Sequence, residues 1–475
     1  MSRCSASAVP QLNVHVLKTP RVIVSFVIAL VVCTVAEAQT GQGGQSFRPE
    51  RPYRGLFGGN AADPNRNQNL DLTVSFYGAY DDNVLAGRGQ GGSATGDPRF
   101  QQSGEYAGGD LSLAYGRHGE RGTVNVSGGT SYRYYPSIHD LSGFNYFGTL
   151  GFSLKITSRT TLRATESVTY SPYYGFGSSF GLSGQVPGEL ITATTDYSIV
   201  ERPAVTYFSS AAIDHRLTRR ATVTADYRLR YTDFREEGDS PLRDWGAGAR
   251  FSYDLTRRAR ARLGYHYRRA VHGMFFQGRP IEYHDVDVGV DYDRALSISR
   301  RTTFGFTTGT GVYRSFDPGL EEEPTPGSTQ DLRLRTRFLF TGSAYLNREF
   351  GRTWNARLDY KRGLHYIEGF PDAFFSDAVS FNAAGQAGRR ARIAMSAAYN
   401  DGQMGIASLT GRNYELYTGT AGVQFAVTRM TALYVNYLYY HYEFDEDVRV
   451  PFGMARGLDR HSVRAGLTLW LPLLR

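Results

Sequence analysis

The sequence predicts an all-β fold: a transmembrane antiparallel β-barrel of about 18 strands, within a range of about 16–18. Apolar and polar residues alternate over many long segments, and a short polar turn recurs between them. No apolar run after residue 38 reaches the length of about 20 residues that a transmembrane helix needs. Because successive strand side chains point to opposite faces, this alternation gives each strand one face for lipid and one for a lumen.

The stretch 254–269 shows the repeating unit. It begins with the turn Thr256-Arg257-Arg258 and continues as a strict alternation, with Leu263 and Tyr265 on the apolar side and mostly arginine on the other. Related turns begin at Thr157, Thr218, Ser299, Gly351, Gly388 and Thr428. Tight turns that alternate with long connections are typical of outer-membrane barrels, in which short turns face the periplasm and long loops face outward.

Eighteen alternating segments follow one another from residue 70 onward. They cover residues 70–81, 105–117, 121–135, 142–157, 160–172, 201–217, 221–235, 242–256, 259–271, 281–297, 301–315, 330–347, 353–367, 375–387, 390–400, 412–428, 431–444 and 460–472. The long connections between them are rich in Gly, Pro, Ser and acidic residues, which is a loop composition. An even number of strands places both ends of the barrel on the periplasmic side.

The chain divides into three parts. Residues 1–38 read as a secretory signal peptide, with a basic start, an apolar core and the cleavage pattern Ala36-Glu37-Ala38. Cleavage there removes both cysteines, so no disulfide is expected. Residues 39–69 are rich in Gly, Gln, Asn, Arg and Pro, and form either a disordered periplasmic segment or a partial plug inside the lumen. Residues 70–475 form the outer-membrane β-barrel.

One residue breaks the alternation. Glu166 falls on the apolar side of its segment, between Ala164 and Val168. A charge on the lipid face is unfavourable, so the sequence predicts either a β-bulge that turns this side chain inward or a different segment boundary.

The last segment carries an assembly signal. Arg464, Gly466, Leu469 and Leu471 fit the polar-x-Gly-x-x-apolar-x-apolar pattern by which barrels are recognised for insertion. The expected partners are therefore the outer-membrane lipid and, through this strand, the barrel-assembly machinery. No nucleic-acid partner is expected, because the basic residues lie on the lumen side of the strands and not on an exposed surface.

Two stretches carry a family resemblance. The turn-plus-strand unit at 255–265 and the end of the first strand, Tyr80-Asp81-Asp82-Asn83-Val84, resemble the outer-membrane β-barrel porins of the second type. The resemblance covers residues 70–475 and implies an outer-membrane barrel, in a family with members in exopolysaccharide export systems. It supplies no catalytic residue.

The charged residues fall on the polar side of their strands. Since a charge facing lipid costs about 2–4 kcal/mol near the midplane, these residues are expected to line the lumen and set its selectivity. They are Arg228, Arg230, Arg250, Arg260, Arg262, Arg268, Asp285, Asp287, Asp291, Arg333, Arg335, Arg337, Arg357 and Lys361. The Asp-rich segment 281–297 follows the Arg-rich segment 259–271, so the two are expected to form cross-strand ion pairs on one wall.

The arginines at 333, 335 and 337 are the candidate selectivity filter. Their expected neighbours, Thr303, Gly305 and Thr307, offer no carboxylate, which leaves a positive field that would attract anions. The alternative is that arginines and aspartates brace a filled or narrow lumen.

No catalytic or metal-binding arrangement stands out. The sequence lacks Gly-x-Ser-x-Gly and His-Glu-x-x-His, and the neighbours Asp214 and His215 point to opposite faces of an extended strand. The protein is therefore predicted not to be an enzyme and to need no cofactor. The run from Asp81 to Asn83 is interpreted either as a divalent-cation site at a loop mouth or as a turn start.

These features favour a porin-like channel for passive passage of small polar or anionic solutes through a basic-leaning lumen. The expected location is the outer membrane of a Gram-negative-type cell, after export to the periplasm. The first alternative is an outer-membrane conduit or scaffold of a polysaccharide export or surface-assembly system, whose components would then be further partners. The minor alternative is an outer-membrane hydrolase.

Overall fold

The structure is a computed structural model of the chain. It describes residues 67–83, 103–136, 142–172, 203–234, 241–272, 280–295, 301–316, 334–351, 353–365, 374–404, 414–446, 448 and 456–474. The predicted signal peptide and nearly all of the segment 39–69 lie outside the described residues. Within the described ranges, no helix has the length and apolar character to cross a membrane.

Eighteen strands make up the described part of the chain. They are β1 Gln68–Asp81, β2 Gly104–His118, β3 Gly122–Tyr134, β4 Gly143–Lys155, β5 Thr160–Ser171, β6 Ala204–Arg216, β7 Ala221–Phe234, β8 Leu242–Asp254, β9 Ala259–His272, β10 Pro280–Ala295, β11 Thr302–Phe316, β12 Leu334–Phe350, β13 Trp354–His365, β14 Phe374–Ala387, β15 Ala391–Met404, β16 Tyr414–Ala426, β17 Thr431–Phe444 and β18 Gly457–Leu474. The predicted fold class and the count of 18 are confirmed, and no boundary differs from its prediction by more than four residues.

The strands close into a single antiparallel barrel. Each pairs with its neighbours in sequence, and β18 pairs with β1, so the sheet has no free edge. The one shift in the closing register lies between Leu70 and Asp71. Because every backbone polar group within lipid must pair inside the protein, closure is what permits a sheet to span a membrane.

Two kinds of short turn join the strands at one end of the barrel, called here the turn end. In the first kind a threonine begins the turn: the Oγ1 of Thr218 accepts hydrogen bonds from the backbone N–H of Arg220 at 3.2 Å and of Ala221 at 3.0 Å. Thr256 repeats this arrangement. In the second kind, Gly351 and Gly388 have φ of 61° and 78°, a region in which other residues are strained. The turn predicted at Ser299 lies outside the described residues.

The outer face of the barrel is apolar and exposed. Phe76, Leu263 and Val435 expose 58%, 55% and 52% of their surface, and most of the other exposed large hydrophobic side chains share this face. Exposed apolar area of this extent in a closed barrel requires lipid rather than water. The opposite face of each strand lines the interior, as the alternation predicted.

Glu166 lies on the outer face, and neither predicted explanation for it holds. The register runs through it without a bulge, opposite Leu150 on β4 and Ser209 on β6. The Ser209 hydroxyl donates a hydrogen bond of 2.7 Å to the Glu166 carboxyl, which offsets part of the cost of placing that group near lipid.

Candidate functional site

A network of ion pairs covers the inner wall at β8 to β10. The Arg262 guanidinium, with 7% of its side chain exposed, lies 2.8 Å from Asp287 and donates a hydrogen bond to Asp291. Arg250 lies 3.9 Å from the same Asp287 carboxylate. The antiparallel register brings these groups together, because Asp287 on β10 and Arg250 on β8 both stand opposite Gly264, the inward position of β9 that follows Arg262.

The same wall contains further pairs. Arg268 binds Asp244 through two nitrogens, of which Nε donates at 2.6 Å. Arg260 lies 2.6 Å from Asp254 at the turn end, where both side chains are partly exposed. Asp285 faces inward opposite His266, and Arg228 and Arg230 lie on the inner face of β7. On this wall most of the positive charges face a carboxylate directly.

Two cations lie on the neighbouring wall. The Arg357 guanidinium donates three hydrogen bonds of 2.7–2.9 Å to Asp359 and stacks 4.6 Å above the ring of Tyr345. Lys361 faces inward between Ser343 on β12 and Ala378 on β14, and its side chain is exposed. Among the described residues, no ion pair or hydrogen bond engages the Lys361 ammonium.

The expected neighbours of the 333–337 arginines are wrong. Arg337 pairs with Tyr313 and Arg335 with Ser315, both at the far end of β11 from Thr303. Thr303, Gly305 and Thr307 pair instead with Asn347, Tyr345 and Ser343. Antiparallel strands bring the start of one against the end of the other, which the prediction overlooked. Arg333 and the side chains of Arg335 and Arg337 lie outside the described part.

The run from Asp81 to Asn83 joins the first strand to the last. The Asp81 carboxylate accepts hydrogen bonds from Arg460 on β18, and both side chains are 1% exposed. Asp82 accepts a bond of 2.7 Å from the His461 N–H, and the Asn83 side-chain amide donates to the Asp459 carbonyl at 3.3 Å. The Asn83 backbone N–H also donates to the Asp81 carboxylate at 3.0 Å, which is the hydrogen bond of a turn that begins at Asp81. The turn-start interpretation is therefore confirmed, whereas Arg460 occupies the Asp81 carboxylate that the cation-site interpretation needed.

Arg464, predicted as part of the assembly signal, also lies in a cluster of inward-facing tyrosines. Its guanidinium is 4.3 Å from the ring centre of Tyr77 and donates a hydrogen bond of 3.2 Å to the Tyr106 hydroxyl. At Gly466 an added Cβ would lie 2.4 Å from the Phe76 carbonyl oxygen, so no larger residue fits. The assembly role itself stays a prediction.

Apolar side chains fill part of the inner wall at the opposite, loop end. Phe374, Leu416 and Tyr442 are fully buried, and the rings of Phe374 and Tyr414 meet edge to face at 4.9 Å. The Tyr414 hydroxyl donates to the Asn400 amide oxygen at 3.1 Å. Alternation alone missed this cluster, because it assigned apolar residues to the outer face. At the loop end of β14 to β17 the inner face therefore carries packed apolar side chains rather than charged ones.

The described residues bring together no catalytic dyad at the Asp214-His215 pair. Asp214 faces the lumen and accepts hydrogen bonds from Arg163 and Thr224, whereas the His215 ring lies on the outer face beside Thr160. In the described ranges no group of three or more His, Cys, Asp or Glu is arranged to hold a metal ion. His139 and Asp140, which are also adjacent in the sequence, lie outside the described ranges.

Comparisons with known proteins give remote structural likeness. No protein-family model matches the chain, and no curated protein matches it. OpdO of Pseudomonas aeruginosa is 12% identical over 86% of this chain and 98% of its own, with a TM-score of 0.40. OccK2 (OpdF) of the same organism, solved in complex with glucuronate, is 10% identical over 86% and 99%, with a TM-score of 0.40. OccAB3 of Acinetobacter baumannii is 9% identical over 86% and 100%, also at 0.40. The fold assignment therefore rests on this chain's own register: a closed, eighteen-stranded antiparallel β-barrel, apolar outside and charged within.

Proposed function

We propose that the protein is an outer-membrane channel of a Gram-negative-type cell, through which small polar or anionic solutes pass passively. The single observation that carries this proposal is the division between the two faces of one closed sheet. The outer face exposes apolar side chains, and the inner face carries the ion-pair network around Arg262 together with Lys361. A wall of this kind favours water and polar solutes inside the barrel.

The remaining parts of the chain serve export and assembly in this proposal. Residues 1–38 direct the chain to the periplasm, and β18 presents its Gly466 and Leu469 pattern to the barrel-assembly machinery. Residues 39–69 then stay in the periplasm or enter the lumen as a partial plug. No catalytic role is proposed, since Asp214 and His215 point to opposite faces of β6.

A conduit or scaffold in polysaccharide export is the second candidate, as in the exopolysaccharide-associated barrels that the sequence resembles. One observation favours it: Phe374, Leu416 and Tyr442 are fully buried on the inner face at the loop end. An inner face packed with apolar side chains is less suited to the free diffusion of polar solutes than a charged one.

Planar-bilayer recording separates the two candidates. Residues 39–475, refolded in detergent and checked by the gel shift between unheated and boiled samples, should give stepwise conductance with reversal potentials that favour anions. Boiled protein is the control. Folded protein that never conducts would contradict the channel and favour the scaffold.

A further inference from the structure

We propose that Lys361 is the anion-binding position of the lumen, and that it takes a hydroxylated monocarboxylate such as a sugar acid. This inference rests on the proposed function, which it deepens by naming the site and the class of solute. It begins from a property of the sequence: the chain has only three lysines, Lys18, Lys155 and Lys361, among 53 basic residues.

Charge compensation distinguishes Lys361 from arginines elsewhere on the inner face. Arg163, Arg262 and Arg268 each bind at least one carboxylate. Within the part of the chain that the structure describes, Lys361 has no such partner. The carboxylate nearest to it in sequence, Asp359, already accepts three hydrogen bonds from Arg357. The Lys361 ammonium therefore has all three of its donors available for a solute.

The surroundings of Lys361 suit a solute that carries hydroxyl groups. Ser343 stands directly opposite it, and the Ser343 hydroxyl is 2.9 Å from that of Thr307 on the next strand. On the other side, Ser380 and Asn382 follow Ala378 on the inner face of β14. Hydroxyls and amides both donate and accept, so they can replace the water around a sugar hydroxyl while the ammonium holds the carboxylate.

Access to the lumen also points to Lys361. Along the same cross-strand row, Asn400, Leu416 and Tyr442 are 1%, 0% and 0% exposed. Lys361 is the exposed side chain at the border of this packed region. A solute excluded by the packed side of the row passes the ammonium on its way through.

A second cation continues the path toward the turn end. Arg392 faces inward on β15 between Gln386 and Gln424, and among the described residues it has no ion-pair partner. Gln386 lies eight residues beyond Ala378 along β14, so the two cations are roughly 25 Å apart along the wall. The hydroxyls of Ser396 and Thr420, which lie 2.6 Å apart, stand between them. An anion leaving Lys361 thus meets polar groups and then a second positive charge.

The two lysines of the barrel allow a direct test. The folded barrel, residues 39–475, is treated with a membrane-impermeant acetylating reagent, and acetylation of each lysine is followed by mass spectrometry. Gluconate at about ten times its dissociation constant should slow acetylation of Lys361 about tenfold, by simple mass action. Lys155, at the exposed turn end of β4, is the internal control and should not be protected.

Each outcome decides the proposal. Equal protection by chloride would overturn the assignment to hydroxylated carboxylates, and equal protection by neutral glucose would overturn the role of the ammonium. Absence of any protection by gluconate would overturn the site. The labelling does not require conductance, so a barrel that protects Lys361 but never conducts would refute the channel and leave this site standing. In a conducting barrel, Lys361→Gln should abolish the preference for gluconate, Lys361→Arg should retain part of it, and Lys155→Gln should leave it unchanged.

Discussion

Asp81 and Arg460, separated by 379 residues in the sequence, form a buried ion pair that fastens the last strand to the first. The Arg460 Nε donates to both carboxylate oxygens, at 3.0 Å and 2.8 Å. The pair lies at the loop end of the seam where β1 meets β18. There Asp81 stands opposite Ser462, and Arg460 is the next residue of β18 on the same face. A buried pair of this kind is costly to break, because the remaining charge has no water around it.

Breaking this pair should destabilise the barrel strongly. Arg460→Met leaves the Asp81 carboxylate buried and unpaired, so the free energy of unfolding should fall by about 3–5 kcal/mol. The double variant Asp81→Leu with Arg460→Met should regain most of that loss. Urea unfolding in lipid vesicles measures both. As the control, Arg362→Met removes a half-exposed partner of Asp377 and should cost at most about 1 kcal/mol. If Arg460→Met and Arg362→Met lower the free energy of unfolding equally, the buried pair does not contribute more than an exposed one.

The Glu166 and Ser209 pair should show coupling in the membrane. Ser209→Ala removes the hydroxyl that donates to the Glu166 carboxyl, and should lower the free energy of unfolding by about 1–3 kcal/mol. In a Glu166→Leu background the same change should cost close to nothing, since no acceptor is left unpaired. Ser167→Ala is the comparison, because it removes a hydroxyl that lies on β5 beside Glu166 but faces the lumen. Independent effects of the two changes would mean that the hydrogen bond contributes nothing.

The threonine turns should each contribute to stability through one oxygen atom. Thr218→Ala removes the acceptor for two backbone N–H groups and should cost about 1 kcal/mol in urea unfolding. Thr218→Ser keeps the oxygen and should cost much less. If the serine variant loses as much stability as the alanine variant, the methyl group of Thr218 and not its hydroxyl stabilises the turn.

The short turns of the barrel are expected to face the periplasm and the long loops the outside of the cell. A tag inserted at residue 184, between β5 and β6, should be reached by antibody on intact cells. A tag at residue 219, in the turn between β6 and β7, should be reached only after the outer membrane is opened. The reverse pattern would place the short turns outside the cell.

Selectivity should respond to Arg333, Arg335 and Arg337, of which the last two lie near the start of β12. Changing Arg333, Arg335 and Arg337 together to Glu should move the reversal potential toward cations. The shift should be larger at low salt, because the Debye length is only about 10 Å at 0.1 M. The same charge reversal at Arg219, Arg220 and Arg257, in turns outside the membrane span, is the control. Unchanged selectivity in the triple variant would mean that these arginines stabilise the wall and do not select ions.

Alternation was enough to predict the strands, and register was needed for the rest. The choice of face depends on neighbours within one strand, so Leu263 and Arg262 could be assigned from the sequence. The partner of Arg335 depends on how two strands are staggered, and the wrong neighbours followed from ignoring that stagger. The match of Asp81 with Arg460 could have been proposed, because a closed barrel must pair its first strand with its last. The inward orientation of Leu416 could not have been predicted, because alternation assigns apolar residues to the outer face.

The seam between β1 and β18 also means that the barrel can close only when the last strand of the chain is present. A polypeptide released before β18 has been synthesised would display two unpaired sheet edges, and Asp81 would have no counter-charge. Such a product cannot satisfy its backbone hydrogen bonds within lipid. Only the strand made last covers the edge of the strand made first, so stable insertion into lipid itself favours the full-length barrel over truncated copies.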